Sequence, residues 1–185
     1  MPTCFHNRYP TTRVVIDATE VFIEKPKNSN AQAATWSTYK NPNMFKFLID
    51  ITPNGVPSYI SDVYGGRISD KELVKRSGLC SLLEEGDSIM ADRGFLIEDL
   101  LPKNVSLNMP PFLKEREQSE LIEIVETRRI ASVPIHVERA IERVKNFQIL
   151  SFLPASLCPF GGQIIFVCSF LTVFMGPLVL SDRCV

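Results

Sequence analysis

Histidine is scarce in this chain: His6 and His136 are the only two, and the five cysteines (Cys4, Cys80, Cys158, Cys168, Cys184) form no CxxC pair. That usage argues against a zinc finger or a disulfide framework and suits a reducing compartment inside the cell. There is no excess of either charge. Twenty Lys and Arg against 21 Asp and Glu leave a net −1, so composition does not announce a nucleic-acid binder, which usually carries a basic surplus. An acidic metal site can, however, offset a basic groove. The opening residues, Met1 to His6, contain no apolar core of a secretory signal, and no repeat or low-complexity segment is visible. At 45% hydrophobic and 22% charged residues the chain has ordinary globular composition, and its 185 residues suit one domain with a proper core.

Residues 1–12 read as a loose lead-in. Arg13 to Glu24, rich in β-branched residues, reads as a strand with Asp17 inside its apolar run. Lys25 to Ala34 reads as a polar loop, and Thr35 to Lys40 as a short strand or loop carrying Trp36, the only tryptophan. Phe45 to Ile51 and Val56 to Val63 read as a hairpin about Pro53-Asn54-Gly55. Ser69-Asp70 can cap a helix running to about Leu83. Ser88 to Ala91 reads as a short buried strand ending at Asp92-Arg93-Gly94. Ile97 to Leu101 reads as a short helix and Val105 to Met109 as a short strand. Lys114 to Glu126 opens a helical region that carries Arg128 and Arg129, and Pro134 interrupts it. Gln163 to Leu180 is almost uncharged. A packed terminal helix to about Phe174 is the preferred reading of it, over a membrane span.

The segment from His136 to Lys145 is the clearest helix. Val137, Ala140, Ile141 and Val144 make an apolar stripe at i, i+3, i+4, i+7, with Glu138, Glu142 and Lys145 in a row beside it. By itself this is a solvated face with ion pairs. Asp17 and Asp92 add a second reading. A carboxylate inside an apolar strand is costly unless paired or metal-bound, and an Asp at the C-terminal end of a buried strand stands where α/β proteins place ligand groups. The simpler roles, a turn-capping Asp17 and an Asx-turn Asp92, remain open at this point. Asp17, Asp92 and Glu138, delivered by two strands and a helix, can hold two Mg²⁺ or Mn²⁺ ions, which favour oxygen ligands. Two such ions about 3.5–4 Å apart activate a water or 3′-hydroxyl and stabilise the leaving oxygen in phosphodiester cleavage. Such chemistry needs no catalytic Ser, Cys or His.

Five blocks in order resemble the DDE superfamily endonucleases, the catalytic domains of Harbinger and insertion-sequence-type transposases. They are VVIDATEVFIE, ATWSTYKNPNMFKFLIDITPNG, SDVYGGRISDKEL, MADRGF and TRRIASVPIHVERAIERVKNF, spanning roughly residues 13–150. The resemblance implies an α/β fold of ribonuclease-H-like type, a mixed sheet flanked by helices, and metal-dependent DNA cleavage with possible strand transfer. Carried over by residue, it makes Asp17, Asp92 and Glu138 both catalytic and metal-binding. Arg139 and Lys145, with Arg128 and Arg129, become candidate contacts to DNA phosphates, the alternative being ion pairs with Glu126 and Glu142. Asp62, near a strand end, is an alternative second metal ligand, but the match of the MADRGF block favours Asp92; Asp62 and Asp70 are expected to shape a turn and cap a helix, with one of them open to supporting the metal ligands from behind. Trp36 and Tyr39 can stack on a base, but packing is the preferred expectation.

The implied domain is 13–157, with 158–185 as the apolar C-terminal segment. No recognition module stands before the first strand, so targeting is expected to come from a separate DNA-recognition protein, and the apolar tail offers a homo-oligomer contact. Work on DNA implies the nucleus in a eukaryote and the cytoplasm otherwise. Two further readings stay beside the nuclease: a domesticated or decayed transposase domain that binds DNA or protein without cutting, and a membrane-tethered protein resting on 163–180 alone.

Overall fold

The computed structural model describes residues 10–92, 94–109, 137–176 and 178. The long strand β1 (Thr12–Phe22) is the spine of a sheet that also holds β2 (Met44–Ile51), β3 (Pro57–Ile60), β4 (Tyr64–Gly65), β5 (Ser88–Ala91) and β6 (Ser106–Asn108). The order is β3-β2-β1-β5-β6, with β4 on the same edge of β2 as β3. β1, β2 and β3 run antiparallel, whereas β5 lies parallel to β1, and β6 to β5. Among the described residues four helices flank the sheet: α1 (Ser29–Thr35), α2 (Asp70–Ser77), α3 (helical over 137–145) and α4 (Gly161–Leu171).

The alternation of β1 builds two cores, because successive strand side chains point to opposite faces. Val15, Val21 and Ile23 face one way and pack with Phe47, Ile49 and Ile51 of β2. The α3 stripe of Val137, Ala140, Ile141 and Val144 covers them, together with Ile165 and Cys168 of α4. Val14 and Ile16 face the other way, with Leu48, Ile89 and Ala91, under Leu73 and Val74 of α2. Asp17 shares the parity of Val15 and Val21 and so lies on the α3 side.

The hairpin, α2, β5 and β6 form where the residue patterns place them, with shorter bounds. β3 stops early because Ser61 takes over the ladder: its Oγ accepts the Leu48 N–H at 2.9 Å. α2 stops at Ser77 because Gly78 adopts φ +81°, a left-handed conformation that glycine enters without penalty. A 3₁₀ turn, Leu79–Leu82, continues the chain. The expected loop at 25–34 is a correction: Ser29–Thr35 is helical. Asn28 Oδ1 caps it by accepting the N–H groups of Asn30 and Ala31, and Asn43 reaches back to donate to Gln32 O and Thr35 Oγ1.

The apolar tail forms α4, which ends at Leu171, and then a 3₁₀ turn, Thr172–Phe174. Among the described residues no helix is long and apolar enough to cross a membrane. Pro134, Arg128, Arg129 and the expected helix from Lys114 lie outside the described residues.

Candidate active site

β1 outruns its parallel neighbour. The last pairing between β1 and β5 is Ile16 with Ala91, and the next described segment to bond that edge is at Leu153, which donates to Phe22 O and accepts from Glu24. Between these two points the edge carrying Asp17 to Val21 has no described strand beside it. Asp17 is the first residue past the pairing, and Asp92 is the first residue past β5. Asp17, in the middle of β1, and Asp92, just past β5, therefore both follow the last β1–β5 pairing directly, while β1 stays paired with β2. α3, laid over the sheet by its apolar stripe, brings Glu138 next to Val137 at the same place.

The three carboxylates line one open cavity of about 550 Å³, a size typical of ligand clefts. Asp17 is half-buried, and its carboxyl is pushed up to about 6. Burial is the largest cause. The Ala18 N–H, donating to Oδ1 at 2.7 Å, pulls the other way, and the charges of Asp92, Asp70 and Glu138 add to the rise. So the electrostatics of Asp17 report four acids in one neighbourhood. Asp92 and Glu138 are exposed at the mouth.

Lys145, two turns after Glu138, also lines the cavity. Its ammonium is held below the usual lysine range by burial and by Lys40, while Asp17 and Glu20 pull it back up. Arg139 is exposed and is not among the residues lining this cavity. Arg143 donates to Gly176 O at 2.5 Å, which ties α3 to the end of the apolar tail. Asp62 lines a separate groove beside α4.

Several lining residues carry no clear sequence signal for the site. Glu20 is buried, accepts from Ser37 Oγ at 2.9 Å and stands 3.8 Å from Lys40 Nζ. Lys46 pairs across from Glu20 on β2. Its Nζ lies 2.7 Å from Asp70 Oδ1, off the line of a hydrogen bond, and donates to Ile68 O at 3.3 Å. Asp70 proves to be the first residue of α2, with Ser69 as the cap accepting from Glu72 N–H. Tyr39 stands at the rim with 86% of its surface exposed, and Trp36 is 40% exposed, so neither is a core residue. The parity of Glu20, three residues along the strand from Asp17, was the one available clue, and it pointed to the opposite face. The cavity takes in both faces because no described strand covers the β1 edge beyond Ile16.

An oxygen-only donor set suits a hard divalent cation, and one neighbouring N–H is the only hydrogen bond the Asp17 side chain receives among the described residues, which leaves carboxylate lone pairs for a metal. The residues thus fit Mg²⁺ or Mn²⁺. Among the described residues no three His, Cys, Asp or Glu side chains stand close enough to enclose one ion as placed. Holding one therefore requires side-chain movement, which the exposed positions of Asp92 and Glu138 allow.

A sheet in the order β3-β2-β1-β5-β6, antiparallel then parallel, with helices on both faces, one acid in the middle of β1 and another just past β5, is a ribonuclease-H-like fold. The chain belongs to the DDE superfamily endonucleases, whose sequence model matches residues 16–172, from the residue before Asp17 to the end of the α4 region. It is thus a transposase-like nuclease domain in its family. Neither the curated proteins nor the solved structures give a match to it.

Proposed function

We propose that this protein cleaves DNA phosphodiester bonds by a divalent-metal-dependent, two-metal mechanism, with Asp17, Asp92 and Glu138 as metal-holding catalytic residues. The observation that carries this reading is the convergence of those three side chains, from β1, the end of β5 and α3, on one cavity where Asp17 is held near 6. Bound Mg²⁺ or Mn²⁺ would supply an activated water or 3′-hydroxyl and stabilise the departing oxygen. The chain's own residues supply the frame. Asp17, anchored by the Ala18 N–H, is the fixed ligand on the spine of the sheet. Glu138 is held in place by the buried stripe of α3.

Lys145 opens to the cavity with a desolvated ammonium, suited to a phosphate oxygen. Arg139, facing solvent on the same helix, would meet phosphates further along the DNA, and Arg128 and Arg129 keep that role as expectations outside the described residues. DNA is the proposed partner, and a separate DNA-recognition protein is a further one.

Nicking of supercoiled plasmid in Mg²⁺ or Mn²⁺ tests the reading. Wild-type protein should nick and Asp92→Asn should not, while both retain the same fold by circular dichroism. Equal nicking by both sinks the assignment. Binding of DNA without cleavage at any metal concentration would instead favour a decayed transposase domain that kept its contacts.

A further inference from the structure

The carboxylate cavity does not end at the carboxylates. It runs on into a groove of about 380 Å³ that shares Glu20, Tyr39, Lys46 and Asp70 with it and continues past Arg67 and Lys71 to Leu96. Two of its residues are large apolar side chains left in water: Tyr39 at 86% exposure and Leu96 at 70%. Arg67 is exposed and has no ion pair among the described residues, whereas Lys71 pairs with Asp99 at 2.7 Å. The groove therefore pairs a cation that lacks a counter-charge with open apolar faces, at the doorway of the acidic site.

Tyr39 is not on a loose loop. The turn that presents it is closed by Ser37 N–H donating to Pro42 O and Asn41 N–H donating to Ser37 O, both at 2.9 Å. Ser37 is fully buried, its Oγ donating to Glu20 and accepting the Lys40 N–H. A bridge between Trp36 and Asn43 seals the base of the turn. The ring is thus held out from a pinned frame, with little left to lose in order when something stacks on it.

We propose, building on the endonuclease reading, that this groove holds an unpaired DNA strand next to the carboxylates, with Tyr39 as the stacking platform for a base and Arg67 as a contact to the strand's backbone. A paired base inside a duplex offers no face to an aromatic ring at the surface, whereas an unpaired one does. A double helix lying on this face would use its phosphates alone and would leave Tyr39 and Leu96 without a role. The substrate class this predicts is DNA that is forked, frayed or single-stranded beside the cut.

Fluorescence anisotropy with two labelled DNAs of the same sequence tests it, one fully paired and one forked with an unpaired arm. Ca²⁺ replaces Mg²⁺ and Mn²⁺ so that binding is read without turnover. Wild type should prefer the fork. Tyr39→Ala should weaken fork binding about tenfold and leave the duplex within about twofold, and Tyr39→Trp should keep the preference, as stacking on any flat ring requires. Arg67→Ala should make fork binding less salt-dependent, lowering the log–log slope by about 0.7. Equal effects of Tyr39→Ala on both DNAs, or none on either, overturn the proposal. If wild type nicks plasmid while Tyr39→Ala shows no selective loss, only this proposal falls. If wild type binds neither DNA, the endonuclease reading falls with it.

Discussion

Replacing Asp17 by asparagine should stabilise the metal-free protein while disabling its site, and the gain should depend on pH. Asn keeps an oxygen to accept the Ala18 N–H and removes a charge that burial and the neighbouring acids oppose. The folded carboxyl sits at about 6 against an ordinary 3.8. At about 1.36 kcal/mol per pH unit, ionised Asp17 costs the fold about 3 kcal/mol at most, less whatever salt and the open cavity screen away. Between those two values the folded chain keeps a proton that the unfolded chain has released, so stability falls as pH rises through that window, and the whole cost is present above about pH 6. By about pH 4.5 only about 1 kcal/mol of it remains. Urea unfolding of wild type and Asp17→Asn in EDTA should therefore show a gain that is larger by about 2 kcal/mol at pH 7.5 than at pH 4.5. Asp50 is also pushed up to about 6, chiefly by burial, but it is present in both proteins and cancels. A gain that does not change with pH, or a loss at pH 7.5, would refute the claim that burial and the neighbouring acids hold the Asp17 carboxyl up.

Two further outcomes follow from the geometry. Lys145→Ala should weaken DNA binding and lower the slope of log affinity against log salt by about 0.9, the share of one phosphate contact on duplex DNA, measured by anisotropy across a salt series. Gly65→Ala should cost about 1–3 kcal/mol in urea unfolding, because a Cβ on Gly65 would drive into the backbone carbonyl of Ala34, which cannot swing aside as a side chain can.

Much of this architecture is written locally. The β-branched run of β1, the turn at Pro53-Asn54-Gly55 and the stripe of α3 each carry a period that fixes the element and the face it buries. The two aspartates were legible for the same reason, as acids breaking or ending apolar runs. α1 was not, because Ser29–Thr35 has no apolar stripe; its support comes from Asn43, a residue across a turn. Lys40 and Lys46 at the cavity were equally hidden, since they come from a turn and from β2, whereas Lys145 and Tyr39 were legible in the sequence as candidate phosphate and base contacts. Their meeting depends on where β5 stops pairing with β1, which local pattern does not encode. Arg139 shows the converse: next to Glu138 in sequence, it points away, because neighbours on a helix stand about 100° apart.

In the proposed mechanism Asp17, Asp92 and Glu138 together hold the divalent metal. Titration of the protein with Mn²⁺ at neutral pH, with free metal read by electron paramagnetic resonance, tests it without reference to DNA or turnover. Saturable binding by wild type, lost or greatly weakened in each of Asp17→Asn, Asp92→Asn and Glu138→Gln, is the expected result. Binding that is the same in wild type and all three variants would contradict it.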